Sequence, residues 1–234
     1  MMKLLFTILY SLVFLSTLLA QDQKDNISVQ NPIRAITFDL LSPIYYSYGP
    51  SNLTRWRIGY RHQLNRRLVI GADLGYGDEK FALRDEGIDY RLYELVPEMQ
   101  YLLQLRSKTQ VYFALQPFYL IHTETLYSRS VYAQEIGSVH FEEAAYQRMK
   151  YGLTLNYGFI FPISSRIGIN IFIGGGVKRR ENNYKSFVNP SLDVFAFSDE
   201  CHEPKYYEND IPFTEFQFSF GIKAYFLVKR RNSL

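Results

Sequence analysis

From Thr54 to Gly77 the chain reads TRWRIGYRHQLNRRLVIGADLGYG, and polar and apolar residues take turns along it. Trp56, Ile58 and Tyr60 fall on one side, Arg55, Arg57 and Arg61 on the other. After Asn65-Arg66-Arg67 the alternation resumes, with Leu68, Ile70, Ala72, Leu74 and Tyr76 set against Val69, Gly71, Asp73, Gly75 and Gly77. Successive side chains of a strand point to opposite faces, so this stretch reads as a two-faced hairpin. Which face meets water decides the kind of protein. An apolar face turned inward gives a soluble β-protein; turned outward, it gives a membrane protein with arginines inside.

The same pattern recurs in eight runs. The first, RAITFDLLSPIYYSY, alternates Ile36, Phe38, Leu40 and Ile44 with Thr37 and Asp39, and the opening hairpin supplies the second and third. The fourth sets Tyr93, Leu95, Met99, Tyr101 and Leu103 against Glu94, Glu98, Gln100 and Gln104; the fifth sets Val111, Phe113, Leu115 and Tyr119 against Tyr112, Ala114 and Gln116. The sixth carries Met149 to Phe161 at odd positions against Arg148, Lys150, Gly152, Thr154, Asn156 and Gly158. Ile167, Ile169, Ile171 and Ile173 oppose Gly168, Asn170, Phe172 and Gly174 in the seventh. In the eighth, Phe216, Phe218, Phe220, Ile222, Ala224 and Phe226 oppose Glu215, Gln217, Ser219, Gly221, Lys223 and Tyr225. No helical period follows the first twenty residues.

Connections alternate in length. Short ones fall at Asn65-Arg66, Arg106-Ser107-Lys108 and Ser164-Ser165; long ones span 77–89, 128–147 and above all 179–212, with a modest link at Gly49-Pro50-Ser51. Short turns at one end and long loops at the other predict a closed eight-stranded antiparallel up-and-down transmembrane β-barrel, with its ends in the periplasm and its long loops outside. A soluble lipocalin-like ligand-binding barrel has the same period with its faces exchanged. Three features favour the membrane. The apolar set is nearly free of charge over about five positions per run, which fits the nine to eleven residues of a spanning strand. The polar set is rich in Gly, Asn, Gln, Thr and Ser, residues suited to a crowded interior. Aromatics, 17% of the chain, gather toward the ends of the apolar runs at Tyr46, Trp56, Tyr76, Tyr93, Tyr119, Tyr151 and Phe226, as in interfacial girdles. A mean hydropathy of −0.17 excludes a helical membrane protein but not a barrel, whose apolar residues are diluted by alternation. A net charge of +3 with no dense basic run argues against nucleic acid.

The first twenty residues, MMKLLFTILYSLVFLSTLLA, pair Lys3 with an apolar stretch and end at Ala20 before QDQKDN. That pattern predicts a secretory signal peptide over 1–20, an N-terminal periplasmic segment over 21–33, the barrel over 34–230 and a tail over 231–234. Cys201 is the only cysteine, so no internal disulfide forms. It sits beside His202 in DECHEP, and with no second Cys/His pair it reads as loop decoration; no metal or cofactor is expected.

With the LLAQ signal end and the opening DLLSPI…WRIGYRHQL…LGYG, the chain resembles small eight-stranded outer-membrane barrels of the OmpA/OmpX type, most closely uncharacterised ones of Bacteroidota. The resemblance covers about Arg34 to Arg230 and implies residence in the bacterial outer membrane. SFGIKAYF is similar to the last-strand assembly signal of such barrels: Ser219, Gly221, then Ala224 and Phe226, three and five positions after the glycine. Family members often end on the aromatic, whereas this chain continues LVKRRNSL. The implied partners are outer-membrane lipid and the barrel-assembly machinery. The 179–212 loop is far longer than a connector needs, and its aromatics Phe187, Phe195, Phe197, Tyr206 and Tyr207 either pack on the third loop or touch an extracellular partner. The inward set, Asp39, Asp73, Glu94, Glu98 and Glu215 with Arg55, Arg57, Arg61, Arg148, Lys150, Lys178 and Lys223, is near balance. That predicts a lumen closed by charge pairs, since an eight-stranded barrel has room only for side chains. The function read from this is structural or surface-binding. The alternative is a lipid-modifying enzyme, for which His122 is a candidate, read at the outer rim of run five near Ser128 and Ser130. His62 reads as interfacial; His140 and His202 read as loop residues. Pro97 and Pro117 fall inside runs four and five, and pairing about Ser107 places them opposite each other.

Overall fold

A computed structural model describes residues 34–43, 54–80, 88–103, 109–133, 137–192 and 212–228, all within the compact unit Pro32–Leu234. These residues form strands and turns and no helix. The strands are β1 (Arg34–Asp39), β2 (Trp56–Gln63), β3 (Leu68–Asp78), β4 (Ile88–Leu102), β5 (Gln110–Ala133), β6 (Gly137–Pro162), β7 (Ile167–Val188), β8 (Ser191–Leu192) and β9 (Phe213–Leu227). Each long strand pairs antiparallel with its sequence neighbours, β7 pairs with β9, and β9 returns to β1 through Ala35↔Leu227 and Asp39↔Lys223. Eight strands thus close a ring of hydrogen-bonded pairs, while β8 lies outside it against Val139 and His140 of β6.

The turns at one end are tight because side chains cap them. Asn65 Oδ1 accepts from the N–H groups of Arg67 and Leu68 (2.9 and 2.8 Å), and Ser164 Oγ accepts from Arg166 and Ile167 (3.3 and 3.1 Å). Both replace backbone partners in a reversal of few residues. The third short link, 104–108, lies outside the described residues, as do most of the 77–89 link and Ile44, Tyr46, Phe195, Phe197, Cys201, His202, Tyr206 and Tyr207.

The alternation of the sequence becomes an inverted distribution of burial. Ile58 (54% exposed), Leu74 (60%), Leu155 (56%) and Ile173 (59%) face out, while Arg61 (1%), Asp73 (1%), Arg148 (0%) and Lys223 (1%) face in. A soluble fold buries the first set and exposes the second. Along β4 and the residue that follows it, the outward apolar face runs from Tyr93 to Leu103. That is about 33 Å of strand.

Register aligns the outward aromatics at the long-loop end: Trp56 opposes Tyr76, Tyr76 opposes Tyr93, and Tyr119 opposes Tyr151. Several outward tyrosine hydroxyls meet polar groups. Tyr76 donates to Asp78 (2.9 Å) and Tyr151 to Glu181 (2.8 Å), while at the other end Arg67 donates to the Tyr101 hydroxyl (2.8 Å).

Two links are shorter than the sequence predicts. Residues 128–147, expected as a loop, continue β5 and β6 as a ribbon paired as far as Ala133↔Gly137, and the strand expected to end near Arg179 runs to Val188. His140 and Phe187, expected in loops, lie in β6 and β7. β5, β6 and β7 therefore extend well past Ile88↔Thr125, where β4 leaves β5. The sequence conceals this because the faces change phase. Tyr127 and Ser128 are consecutively exposed, as are Glu142 and Glu143 on the paired strand and Lys185 and Ser186 on β7. Ser128 and Ser186 take positive φ (47° and 57°) at that level. Beyond it Val131, Val139 and Phe141 are buried at odd positions, where Leu126, Ala144 and Tyr146 were buried at even ones.

The prolines fall as expected. The β4–β5 register keeps one sum on both sides of a gap between Leu95↔Tyr119 and Met99↔Leu115, which sets Pro97 opposite Pro117. Ala72↔Pro97 and Pro117↔Leu153 persist on the other sides. The three missing pairs are those whose bonds need a proline N–H if the prolines face each other at a hydrogen-bonded position.

Candidate functional site: the buried charge clusters

Two neutral clusters occupy the interior of the ring. In the first, Arg61 Nη2 lies 2.8 Å from Asp73 Oδ1 and also meets Glu98, while Lys223 Nζ lies 2.7 Å from Asp73 and 3.2 Å from Glu98. Thr37 donates to Asp73 (3.2 Å) and Gln100 donates to Glu98. Five strands contribute, and each carboxylate receives both cations. In the second, Arg57 bridges Glu94 (2.8 Å) and Asp39 (3.1 Å), and Arg55 Nη2 donates to Glu94 (3.1 Å). Asp39 also accepts from the backbone of Leu41 and Ser42 (2.9 and 3.0 Å), capping the end of β1.

Glycines make room for these groups. A Cβ on Gly59 would lie 1.7 Å from Asp73 Oδ1, and one on Gly71 would lie 2.5 Å from Arg61 Cδ. The small inward residues opposite the charges are thus the space into which long side chains fold.

Below the first cluster, toward the short turns, Val69, Leu102, Tyr112, Ala114, Ile160 and Phe172 pack as an apolar floor. It is tied upward by Tyr112, which donates to Asn170 (2.7 Å), and by the Phe172 ring, 5.0 Å from Lys223 Nζ. Between the polar layers Asn156 donates to Gln116 (2.7 Å) and to Thr154 (3.2 Å).

Of the inward charges expected from sequence, Asp39, Arg55, Arg57, Arg61, Asp73, Glu94, Glu98 and Lys223 are brought together in these two clusters. Arg148 and Lys150 face inward and are buried on β6. Glu215 is half-exposed and meets Lys178 (3.1 Å). In the proposed assembly signal, Ser219 and Gly221 lie on the inward face of β9 and Ala224 and Phe226 on the outward face. Gly221 has a local reason as well: its Cβ would stand 2.3 Å from the Phe172 ring.

The histidines differ from expectation. His122 is fully buried, with Tyr90 and Tyr146 rings 5.1 and 5.8 Å away and Glu124 Oε1 3.7 Å from its Nε2. It sits well below the end of β5 rather than at its rim. Ser130 Oγ instead lies 3.1 Å from His140 Nδ1, its cross-strand partner. The pair is not legible from the alternation, because the phase change lies between it and the regular pattern. Sequence reasoning also missed Tyr146, which accepts from Arg148 Nε (2.6 Å) and donates to Asn182 (2.8 Å). No family model, curated protein or solved structure matches this chain.

Proposed function

We propose that the chain is an integral outer-membrane β-barrel of the small OmpA/OmpX-like kind, exported behind a cleaved signal peptide and embedded in lipid through the outward face of its ring. The observation that carries this is the inversion of burial: charged side chains are enclosed while a continuous apolar face is exposed. In water that surface would aggregate; in a bilayer it is solvated, and the closed hydrogen-bond ring leaves few backbone groups to face hydrocarbon. Tyrosine hydroxyls turned toward polar groups at both ends of the band support the same reading.

The apolar floor and the two neutral clusters support a closed lumen, hence a structural or surface-binding role over a pore. The β5–β7 extension and the 179–212 segment are the surfaces available to an extracellular partner. Ser219, Gly221, Ala224 and Phe226 are the assembly signal in this reading. Faster migration of unboiled than boiled protein on detergent gels, together with recovery in the outer-membrane fraction, tests the proposal. Recovery as a soluble protein with no such shift would sink it.

A further inference from the structure

Two clusters inside the ring balance their charge, and a third is built differently. Arg148 and Lys150 on β6 adjoin Lys178 and Arg180 on β7: Lys150 directly opposes Arg180, and Lys178 opposes Gly152, two residues along. Diagonal neighbours on adjacent strands are within reach of long side chains, so four basic side chains tile one patch of inner wall. The charges of Arg148, Lys178, Arg180 and Arg55 all bear on Lys150. The carboxylates beside the patch include Glu215, 3.1 Å from Lys178, and Glu124, whose Oε1 lies 3.7 Å from His122 Nε2; Glu94 is already shared by Arg55 and Arg57. Like charges facing each other across strands oppose folding, and burying them costs more still.

The patch is also equipped to bind. His122, the register partner of Arg148, is fully buried, and neither ring nitrogen has a hydrogen-bond partner. Tyr146 holds the Arg148 guanidinium in place through its Nε (2.6 Å). Lys178 and Arg180 are partly exposed while Arg148 and Lys150 are buried, so the patch runs from a wet wall into a dry one. Arg148, Lys150 and Arg180 hold further contacts of their own; a ligand would add to these bonds.

We infer that Arg148, Lys150, Lys178 and Arg180, with His122, form a binding site for a phosphate-bearing anion that enters from the long-loop end. Phosphate matches the donor set: several acceptor oxygens suit guanidinium forks, and a lysine supplies a point charge. The phosphate is either soluble or carried by a lipid headgroup.

The test uses the folded full-length protein in zwitterionic micelles at low salt, titrated with inorganic phosphate and read by calorimetry and thermal midpoint. The wild type is expected to show saturable heat and a rising midpoint. Lys150→Met weakens binding by about tenfold or more and removes the phosphate-dependent rise of the midpoint, whereas loss of a lysine outside the site leaves that rise in place. Arg180→Gln is the second variant should the first not fold, and Arg166→Gln, in an exposed turn, binds as wild type does. A parallel arm compares vesicles of phosphatidylglycerol with vesicles of phosphatidylcholine. Stabilisation by phosphatidylglycerol alone assigns the site to a lipid headgroup, and stabilisation by inorganic phosphate assigns it to a soluble ligand. No response in either arm, or an equal response in wild type and both patch variants, overturns the inference.

Discussion

Arg61 shows how much a single residue carries. It is 1% exposed and touches both carboxylates of its cluster, so truncation strands buried negative charge, at a cost of about 3–5 kcal/mol. Arg61→Ala is therefore expected to lower the urea midpoint strongly. Removing a neutral pair at once, as Arg61→Met with Glu98→Met, leaves Asp73 with Lys223 and is expected to recover most of that loss. If the double variant is as unstable as the sum of its single variants, the pairing is not what holds these groups. Gly59→Ala tests the fit around the same cluster: its Cβ would overlap Asp73 and Thr37, and a loss of about 1–3 kcal/mol is expected. At this scale the sequence was informative about direction. Strict alternation shows that Arg61, Asp73, Glu98 and Lys223 share a face, but it does not say which cation meets which carboxylate. That depends on register between strands far apart in sequence, since Lys223 meets Asp73 across 150 residues.

At the scale of elements, the paired prolines form a local defect that costs one pair of bonds and leaves the outer ladders of β4 and β5 intact. Cysteines placed at 97 and 117 are expected to cross-link readily, because opposed residues of an antiparallel pair lie about 5.5 Å apart, within disulfide reach. Ready formation between 97 and 115 instead would refute the register. Ser128 makes a second element-level prediction. It holds φ at 47° where β5 and β6 change phase, so Ser128→Gly is expected to stabilise the extension by roughly 0.5–1 kcal/mol, measured by amide exchange in β5 and β6. A loss of protection there would show that the serine side chain, not its backbone, sets the bend. The same phase change explains why the extension was hidden. A period-two reading follows Leu126 and fails at Tyr127 and Ser128, although the ladder continues to Ala133. Outward polar residues such as Thr123, Thr125 and Glu142 remove the apolar signal that marks the strands lower down.

For the whole molecule, strand number, order and the short-turn end were legible, since eight alternating runs joined by short and long links leave little choice of topology. The uneven height of the ring was not, because β5 to β7 outrun β1 to β4 in residues that lack the outward apolar pattern. The central claim is that the exposed apolar face meets lipid while the charged face is enclosed. It is tested most directly along β7 by single spin labels at positions 169 to 174, placed in a Cys201→Ser background and reconstituted in bilayers. Collision rates with oxygen, which dissolves in hydrocarbon, and with a water-soluble nickel chelate are then compared. Oxygen access is expected to peak at 169, 171 and 173 and to fall at 170, 172 and 174, with the chelate excluded from the first set. Chelate access peaking at 169, 171 and 173 would place that face in water and contradict the account.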